Sequence, residues 1–289
     1  MPVIDAHAHD VPLLKKLPVL FDRLGGALPQ PERIPGGKAP LSLVHLLADM
    51  DQADVTASLV VLYAQADEFL RLAREQPGRL FGLAYYDSLH PSESLERIQG
   101  LCAEHPDLIL GVSTALPFFH QDPRLIDFQP LYEFCQQRGL PIQFHVGGDP
   151  SMEEVSRPTA FGVLARQYPA LAVICLHAGG SAYREISPLL HRFPNLYLEV
   201  EGLQEAELAG DGLPGIVREI LRNAPSRKVM FGSNRTHANG PYAARVQAVR
   251  ALPWRQRADV CWRTAAAVYG LHLPHGSRVA SRLAHSFSR

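Results

Sequence analysis

The sequence lacks any apolar run approaching the roughly 18 consecutive residues of a membrane-spanning helix. Its first ten residues, MPVIDAHAHD, contain charge and histidine in place of the apolar core of a secretion signal. It also lacks an excess of either charge, with a formal net charge of −1, and has no basic stripe or aromatic–basic platform. These absences argue against membrane and nucleic-acid partners and predict a cytoplasmic protein.

Cysteine is scarce, and no two cysteines form a CxxC pair. The four cysteines are scattered at Cys102, Cys135, Cys175 and Cys261. This spacing argues against a cysteine zinc site and is typical of a reducing compartment. The 46% hydrophobic and 20% charged content is that of a globular protein with a sizeable core.

Short apolar segments alternate with amphipathic ones along almost the whole chain. The eight predicted strands cover residues 2–8, 56–63, 80–87, 108–115, 141–147, 171–179, 195–202 and 228–233. Between them, apolar residues recur at three- and four-residue spacing, which predicts helices. Eight buried strands, each followed by a helix, predict an α/β protein with a (β/α)8 TIM barrel. An open, doubly wound sheet is the alternative.

We predict a single barrel domain over residues 1–273. A Gly/Pro-rich insert at residues 25–40 follows the first strand, and we expect it to form a loop over the barrel mouth. The polar, basic residues 274–289 are predicted to be a peripheral C-terminal tail.

Four histidines end predicted strands, where the active sites of such barrels lie. His7 and His9 end the first strand and, two residues apart, share one face; His145 ends the fifth strand. These three are predicted to bind Zn²⁺ or a similar divalent ion, unless they are unrelated, solvated loop histidines. His177, ending the sixth strand, is either a further ligand or an unligated histidine that moves protons. Capping of the following helix is its structural alternative.

Several segments together resemble one protein family. They are VIDAHAHD, QPLYEFCQQRGLPIQFHVGG, LARQYPALAVICLHAGGS, FPNLYLEVEG, KVMFGSNRTH and WRTAAAVYGL. Over residues 2–271 the chain resembles the amidohydrolase superfamily, specifically the amidohydrolase-related branch that includes aminocarboxymuconate-semialdehyde decarboxylase and pyrone-dicarboxylate lactonase. The resemblance implies that His7, His9 and His145 bind one metal ion and that His177 is the general acid/base. No lysine ends the fourth strand, so a two-metal site bridged by a carbamylated lysine has no support.

One position departs from the family pattern. Asn234 stands where the family has an aspartate after the eighth strand, and a neutral amide cannot accept a proton as a carboxylate does. Three interpretations stay open. The three histidines bind metal alone; or a strand-7 carboxylate substitutes, with Glu201 a better candidate than Glu199; or the protein is a non-catalytic barrel that keeps its pocket. Thr264 is a second departure, since the family usually has asparagine there.

Family substrates are often small carboxylated rings or their ring-opened products. The candidate substrate-binding residues are His120, Arg184, Arg235 and His237. Arginine is suited to binding a carboxylate bidentately, although each arginine is also compatible with a surface or helix-capping role.

The sequence therefore predicts a metal-dependent hydrolase of a small organic acid ester, lactone or amide. In this interpretation one divalent ion, with zinc as the expected metal, polarises the substrate carbonyl and activates a water. His177 moves the proton, assisted by Asn234 or Glu201. The alternative is a metal-dependent decarboxylase of a small carboxylated ring or ring-opened acid. The expected partner is a small-molecule substrate, and a homodimer is suggested by the resemblance alone.

Overall fold

The protein is a barrel of eight parallel strands with helices between them. The structure, a computed structural model, describes residues 1–9, 42–63, 66–146, 153–200, 215–235 and 242–272. The strands are β1 Ile4–His9, β2 Ala57–Leu62, β3 Leu80–Tyr86, β4 Ile109–Thr114, β5 Ile142–Phe144, β6 Val173–Cys175, β7 Leu196–Val200 and β8 Val229–Phe231. They form one sheet in the order β1 to β8. The predicted (β/α)8 fold is therefore confirmed.

The segments predicted to be helical are helices. The helices are α1 Leu43–Gln52, α2 Ala66–Glu75, α3 Pro91–Glu104, α4 Gln129–Arg138, α5 Glu153–Ser156, α6 Pro158–Gln167, α7 Tyr183–Arg192, α8 Gly215–Asn223, α9 Tyr242–Arg250, α10 Trp254–Ala258 and α11 Thr264–Tyr269. Short 3-10 segments lie at Leu116–Phe119, Ile126–Phe128, His177–Ala182 and Ser226–Lys228, and a π-helical turn at Asp259–Arg263. No helix in these ranges is long and apolar enough to cross a membrane.

Local chemistry sets several of the helix ends. Ser42 caps α1, because its hydroxyl accepts from the backbone N–H of His45 while the His45 ring accepts from the backbone N–H of Ser42. Pro91 begins α3, where its missing N–H is not needed. Gly139 and Gly270 end α4 and α11 with a φ of 65° each, a left-handed conformation that favours glycine.

Along most strands, alternate residues face two different hydrophobic layers. On β2, Val60 and Leu62 pack in the larger cluster that includes the helices, whereas Leu59 and Val61 belong to a second cluster. This second cluster fills the barrel, as period-two alternation in a closed sheet requires. Tyr269 of α11 also joins it. The interior is therefore a packed core.

The barrel closes where β1 meets the end of β8. The backbone N–H of Asn234 donates to the carbonyl of His7 at 2.7 Å, and Ala8 forms a parallel bridge with Arg235. The bridge joins the first and last strands of the barrel, so the loop after β8 is held against the histidine pair of β1.

A buried carboxyl group reinforces this closure. Asp5 accepts from the backbone N–H and the hydroxyl of Ser233, each at 2.7 Å, and from the Tyr242 hydroxyl at 3.1 Å. Burial raises the pKa of Asp5 to about 6, because desolvation outweighs these hydrogen bonds. Asp5 thus joins β1, the loop after β8 and α9.

Two parts of the domain prediction fall outside the described ranges. The insert at residues 25–40 and the tail at residues 274–289 both lie there. The predicted domain limits therefore stay a prediction.

We expect Tyr242→Phe to lower the free energy of unfolding by about 1.5–3 kcal/mol, because it removes a hydrogen bond to a buried carboxylate. Tyr132→Phe is the matched control, since the Tyr132 hydroxyl is equally buried but donates to the neutral carbonyl of Pro123 at 2.8 Å. The control should lose only about 1 kcal/mol. Urea unfolding at about pH 8 measures both variants. Equal losses would show that the charge of Asp5 contributes nothing to barrel closure.

Candidate active site

The structure brings the four predicted histidines together at one end of the barrel. The ring centroids of His7 and His9 lie 4.6 Å apart, and those of His7 and His177 lie 6.0 Å apart. His145 and His177 are closer still, with centroids 4.2 Å apart. Because parallel strands end at the same rim, side chains from β1, β5 and β6 form one continuous cluster.

Each of the three predicted metal ligands is held by a hydrogen bond at its Nδ1 atom. The partners are Gln143 Oε1 for His7 at 2.8 Å, Tyr63 OH for His9 at 2.8 Å and His177 Nε2 for His145 at 2.6 Å. Metal-binding histidines are usually fixed in this way, through the ring nitrogen that does not face the metal. Nε2 is therefore the nitrogen that each ring would offer to a ligand.

The chemistry of these donors suits a divalent transition metal. Imidazole nitrogen is a ligand of intermediate softness that zinc, manganese and iron sites all use. Yet no three His, Cys, Asp or Glu side chains within the described ranges are spaced as a metal-holding set. The imidazole rings thus suit a divalent ion in their donor atoms and in the hydrogen bonds that orient them. In the described part of the chain, their side chains are not close enough together to form a complete set of metal ligands.

Asn234 lies beside one of these rings. Burial lowers the pKa of His9. The hydrogen bond between the Asn234 side chain and His9 acts in the opposite direction but is the weaker effect. The backbone of Asn234 has a φ of 43°, a left-handed conformation that asparagine tolerates better than most residues. The position expected to hold a carboxylate therefore holds a neutral amide in contact with a predicted ligand.

The chain turns sharply after β6. His177, Ala178 and Gly179 have φ angles of 59°, 54° and 83°, so two non-glycine residues are left-handed in succession. Such conformations cost about 1–2 kcal/mol each and persist where surrounding contacts impose them. One such contact is the backbone N–H of His177, which donates to Glu199 Oε2 at 3.3 Å. Burial lowers the pKa of His177 to about 4, so the ring is neutral at physiological pH.

Glu199 is the carboxylate that the structure places at this site. It is fully buried on β7, facing Gly232 at the end of β8. A Cβ atom at Gly232 would lie 2.3 Å from Glu199 Oε1 and 2.8 Å from the Cβ of His7. Only glycine leaves room for both side chains. Glu201, predicted as the better candidate, lies outside the described residues, as does His237, so their roles stay predictions.

Arg235 forms an ion pair. Its side chain is 4% exposed, and its guanidinium bonds Asp49 of α1, with Nε and Nη2 at 2.8 and 2.6 Å from Oδ2. This ion pair ties the end of β8 to α1. The geometry therefore assigns Arg235 a structural bond, and its predicted role in substrate binding has no support in these contacts.

Arg184 and His120 make their contacts with residues outside the histidine cluster. Arg184 bonds Glu219 at 2.8 Å and stacks over Tyr183, in a surface groove between α7 and α8. His120 is exposed and ends the 3-10 segment Leu116–Phe119 with a φ of 56°. Neither makes a hydrogen bond to the four histidines, so both substrate-binding predictions are unsupported by the described contacts.

Gln143 and Tyr63 were missed by the sequence reasoning. Both fall on alternate positions of apolar strands, and Gln143 lies two residues before His145. A polar residue that shares the inward face with a candidate ligand was the available signal.

We expect Gly232→Ala to lower the free energy of unfolding by about 1–3 kcal/mol, because the new methyl group overlaps the Glu199 carboxylate. Gly100→Ala in α3 is the matched control. No atom lies within 4 Å of its Cβ position, so that change should stabilise the helix by about 0.5–1 kcal/mol. Adding the shorter Glu199→Asp to Gly232→Ala should recover part of the loss. Simple additivity of the two changes in urea unfolding would contradict the steric account.

Known structures and a known family resemble the chain over nearly its whole length. The sequence profile described as amidohydrolase matches residues 4–271. No curated protein gives a significant match. The 5-carboxyvanillate decarboxylase of Sphingomonas paucimobilis has a TM-score of 0.69 at 17% identity, over 94% of this chain and 100% of that one.

Two further solved structures share the architecture. The 4-oxalomesaconate hydratase of Rhodopseudomonas palustris has a TM-score of 0.63 at 14% identity, over 93% of this chain and 95% of that one. The dihydroxybenzoic acid decarboxylase of Polaromonas sp. JS666, with bound manganese and the inhibitor 2-nitroresorcinol, has a TM-score of 0.59 at 15% identity, over 93% and 97%. At such identities the likeness establishes the fold, whereas the profile match establishes that this chain belongs to the amidohydrolase family.

Proposed function

We propose that the protein is a metal-dependent decarboxylase of a small carboxylated ring or its ring-opened product. The sequence favoured hydrolysis with decarboxylation as the alternative. Two of the structural neighbours named above are decarboxylases of carboxylated aromatic rings, and the third is a hydratase. These neighbours support the alternative better than they support an ester, lactone or amide hydrolase.

The observation that carries this proposal is the contact between the Asn234 side chain and His9. Hydrolysis needs a base that takes a proton from water, and an amide is not a base. Loss of CO2 does not consume water, so it makes no such demand on the residue after β8. It does require a proton donor for the carbon that loses its carboxylate.

The pair of His145 and His177 can meet that requirement. Their nitrogens are 2.6 Å apart, and a hydrogen bond of this length between two imidazoles contains one proton held by one of the two atoms. In the proposed reaction the bond from the ring carbon to the carboxylate breaks and CO2 leaves. The electron pair stays on that carbon. Because the resting His177 ring is neutral, it first takes a proton from water, directly or through His145, and the imidazolium then gives this proton to the carbon.

His7, His9 and His145 would hold the divalent ion. When bound, that ion supplies positive charge that stabilises the electron pair left on the substrate. The chain's own residues orient the rings, with Gln143 and Tyr63 fixing His7 and His9 through Nδ1. Both manganese and zinc suit an all-imidazole donor set.

We expect purified protein supplied with Mn²⁺ or Zn²⁺ to release CO2 from 5-carboxyvanillate or from a dihydroxybenzoic acid, the ring acids named for the neighbours. Chelator treatment should abolish this release, and added metal ion should restore it. The methyl esters and related lactones serve as controls for hydrolysis. Ester or lactone cleavage without CO2 release would overturn the proposal in favour of the hydrolase. Turnover of none of these compounds, with no metal retained, would favour a non-catalytic barrel.

We expect His177→Gln to lower kcat for CO2 release by about 10²–10⁴-fold, the usual contribution of a positioned acid or base. Its metal content should stay close to wild type, because the glutamine oxygen can also accept a hydrogen bond from His145 Nδ1. His191→Gln is the matched control, since that ring contacts the carbonyl of Asn223 on the outer helices. Full activity of His177→Gln would exclude His177 as the proton donor.

A further inference from the structure

The buried side-chain amide of Gln143 contacts the predicted metal ligand His7 inside the barrel. Gln143 on β5 has no exposed surface. Its strand neighbours Ile142 and Phe144 belong to the outer hydrophobic cluster. Alternation along the strand therefore directs the Gln143 side chain into the barrel. It comes within hydrogen-bond distance of three groups there.

The orientation of this amide is fixed by a backbone carbonyl. Gln143 Nε2 lies 2.7 Å from the carbonyl oxygen of Ala6, which can only accept a hydrogen bond. Nε2 also lies 2.7 Å from the hydroxyl of Tyr269. A flipped amide would place its oxygen against the Ala6 carbonyl, so that two acceptors would face each other. The amide nitrogen therefore faces Ala6, and the amide oxygen faces His7.

This orientation determines which nitrogen of His7 carries the proton. Gln143 Oε1 lies 2.8 Å from His7 Nδ1, and an amide oxygen can only accept. His7 Nδ1 must therefore be the protonated nitrogen in the neutral ring. A neutral imidazole has one N–H, so Nε2 carries the lone pair.

The other imidazole of the pair is not constrained in this way. His9 Nδ1 meets the hydroxyl of Tyr63, which can donate or accept. Its tautomer is therefore open to its other neighbours, which include Asn234. Of the two histidines on β1, His7 alone has its tautomer set by an amide bonded to the main chain.

We propose that Gln143 is a positioning residue that fixes His7 as the Nδ1–H tautomer and presents its Nε2 lone pair to a divalent cation. The part concerning the cation rests on the proposed function, whereas the tautomer follows from the hydrogen bonds alone. Groups that hydrogen-bond a metal-binding histidine in this way commonly change its metal affinity 10–100-fold. Tyr269 supports the amide, but the Ala6 carbonyl already determines its direction.

The tautomer is measured directly by long-range ¹H–¹⁵N correlation spectra of metal-free, ¹⁵N-histidine-labelled protein at about pH 8. The His7 signal is identified by its loss in His7→Asn. We expect the Nδ1–H pattern in wild type and in Tyr269→Phe, which keeps the Ala6 contact. In Gln143→Leu the pattern should shift towards Nε2–H or a mixture. An Nε2–H pattern in wild type would overturn the inference without the need for any variant.

Metal affinity provides the second readout. We expect Gln143→Leu to weaken Zn²⁺ binding about 10–100-fold in competition with a chromophoric chelator. Gln136→Leu is the matched control, because that side chain accepts from the backbone of Ala170 on the outside of the barrel. An affinity of Gln143→Leu equal to that of the control would overturn the positioning role. Absence of Zn²⁺ and Mn²⁺ binding in wild type, with the Nδ1–H pattern present, would count against the proposed function and leave the tautomer assignment standing.

Discussion

The hydrogen bond from Asn234 N–H to the His7 carbonyl is the contact on which the candidate site depends. It joins the segment after the last strand to the first strand. The acceptor, His7, is also a predicted metal ligand. Asp5 strengthens the same junction by accepting twice from Ser233. The contacts that close the barrel therefore also fix the position of His7. A change that loosens the junction moves the His7 ring as well as the strand.

Space at this junction is as constrained as its hydrogen bonds. Gly232 has no side chain, so the Glu199 carboxylate can lie beside the β-carbon of His7. That carboxylate in turn accepts from His177 N–H, where the chain has entered a left-handed conformation. The hydrogen bond to Glu199 thus offsets part of the strain of the turn after β6. Glu199 can take this position because Gly232 has no side chain. Residues on or just after four strands, β1, β6, β7 and β8, form this arrangement, and each contacts a residue of another strand.

Much of the fold was predictable because hydrophobic periodicity is a local property of the chain. Every predicted strand is present, because most of the buried strands lie in short, mainly apolar segments of the sequence. The short strands end earlier than predicted: β5 ends at Phe144, although the next residue, His145, still donates its backbone N–H to the Thr114 carbonyl of β4. Where a strand ends depends on its hydrogen bonds to the neighbouring strand. The sequence of one segment does not show those bonds.

The histidine cluster was predictable for a related reason: strand order and parallel direction determine which residues share a rim. Partners within the site were not predictable. The Asp49–Arg235 pair joins residues 186 positions apart, so neither segment alone shows that the two side chains meet. Nearness to the strand end favours Glu201 over Glu199 in the sequence, and Glu201 stays a prediction because it lies outside the described residues. The space that Gly232 leaves for Glu199 is a property of the assembled barrel.

The neutral residue after β8 has an electrostatic consequence that links these observations to substrate choice. A carboxylate at that position would cancel one unit of charge on a divalent ion held by His7, His9 and His145. Asn234 cancels none, and three imidazoles bind as neutral ligands. An ion so held would keep more of its positive charge than one bound by a carboxylate after β8, and Coulomb attraction is strong where water is excluded. In the proposed decarboxylase, that charge would favour an anionic substrate over neutral esters and amides. The substitution that removes a base for water would thereby suit a substrate carboxylate that leaves as CO2.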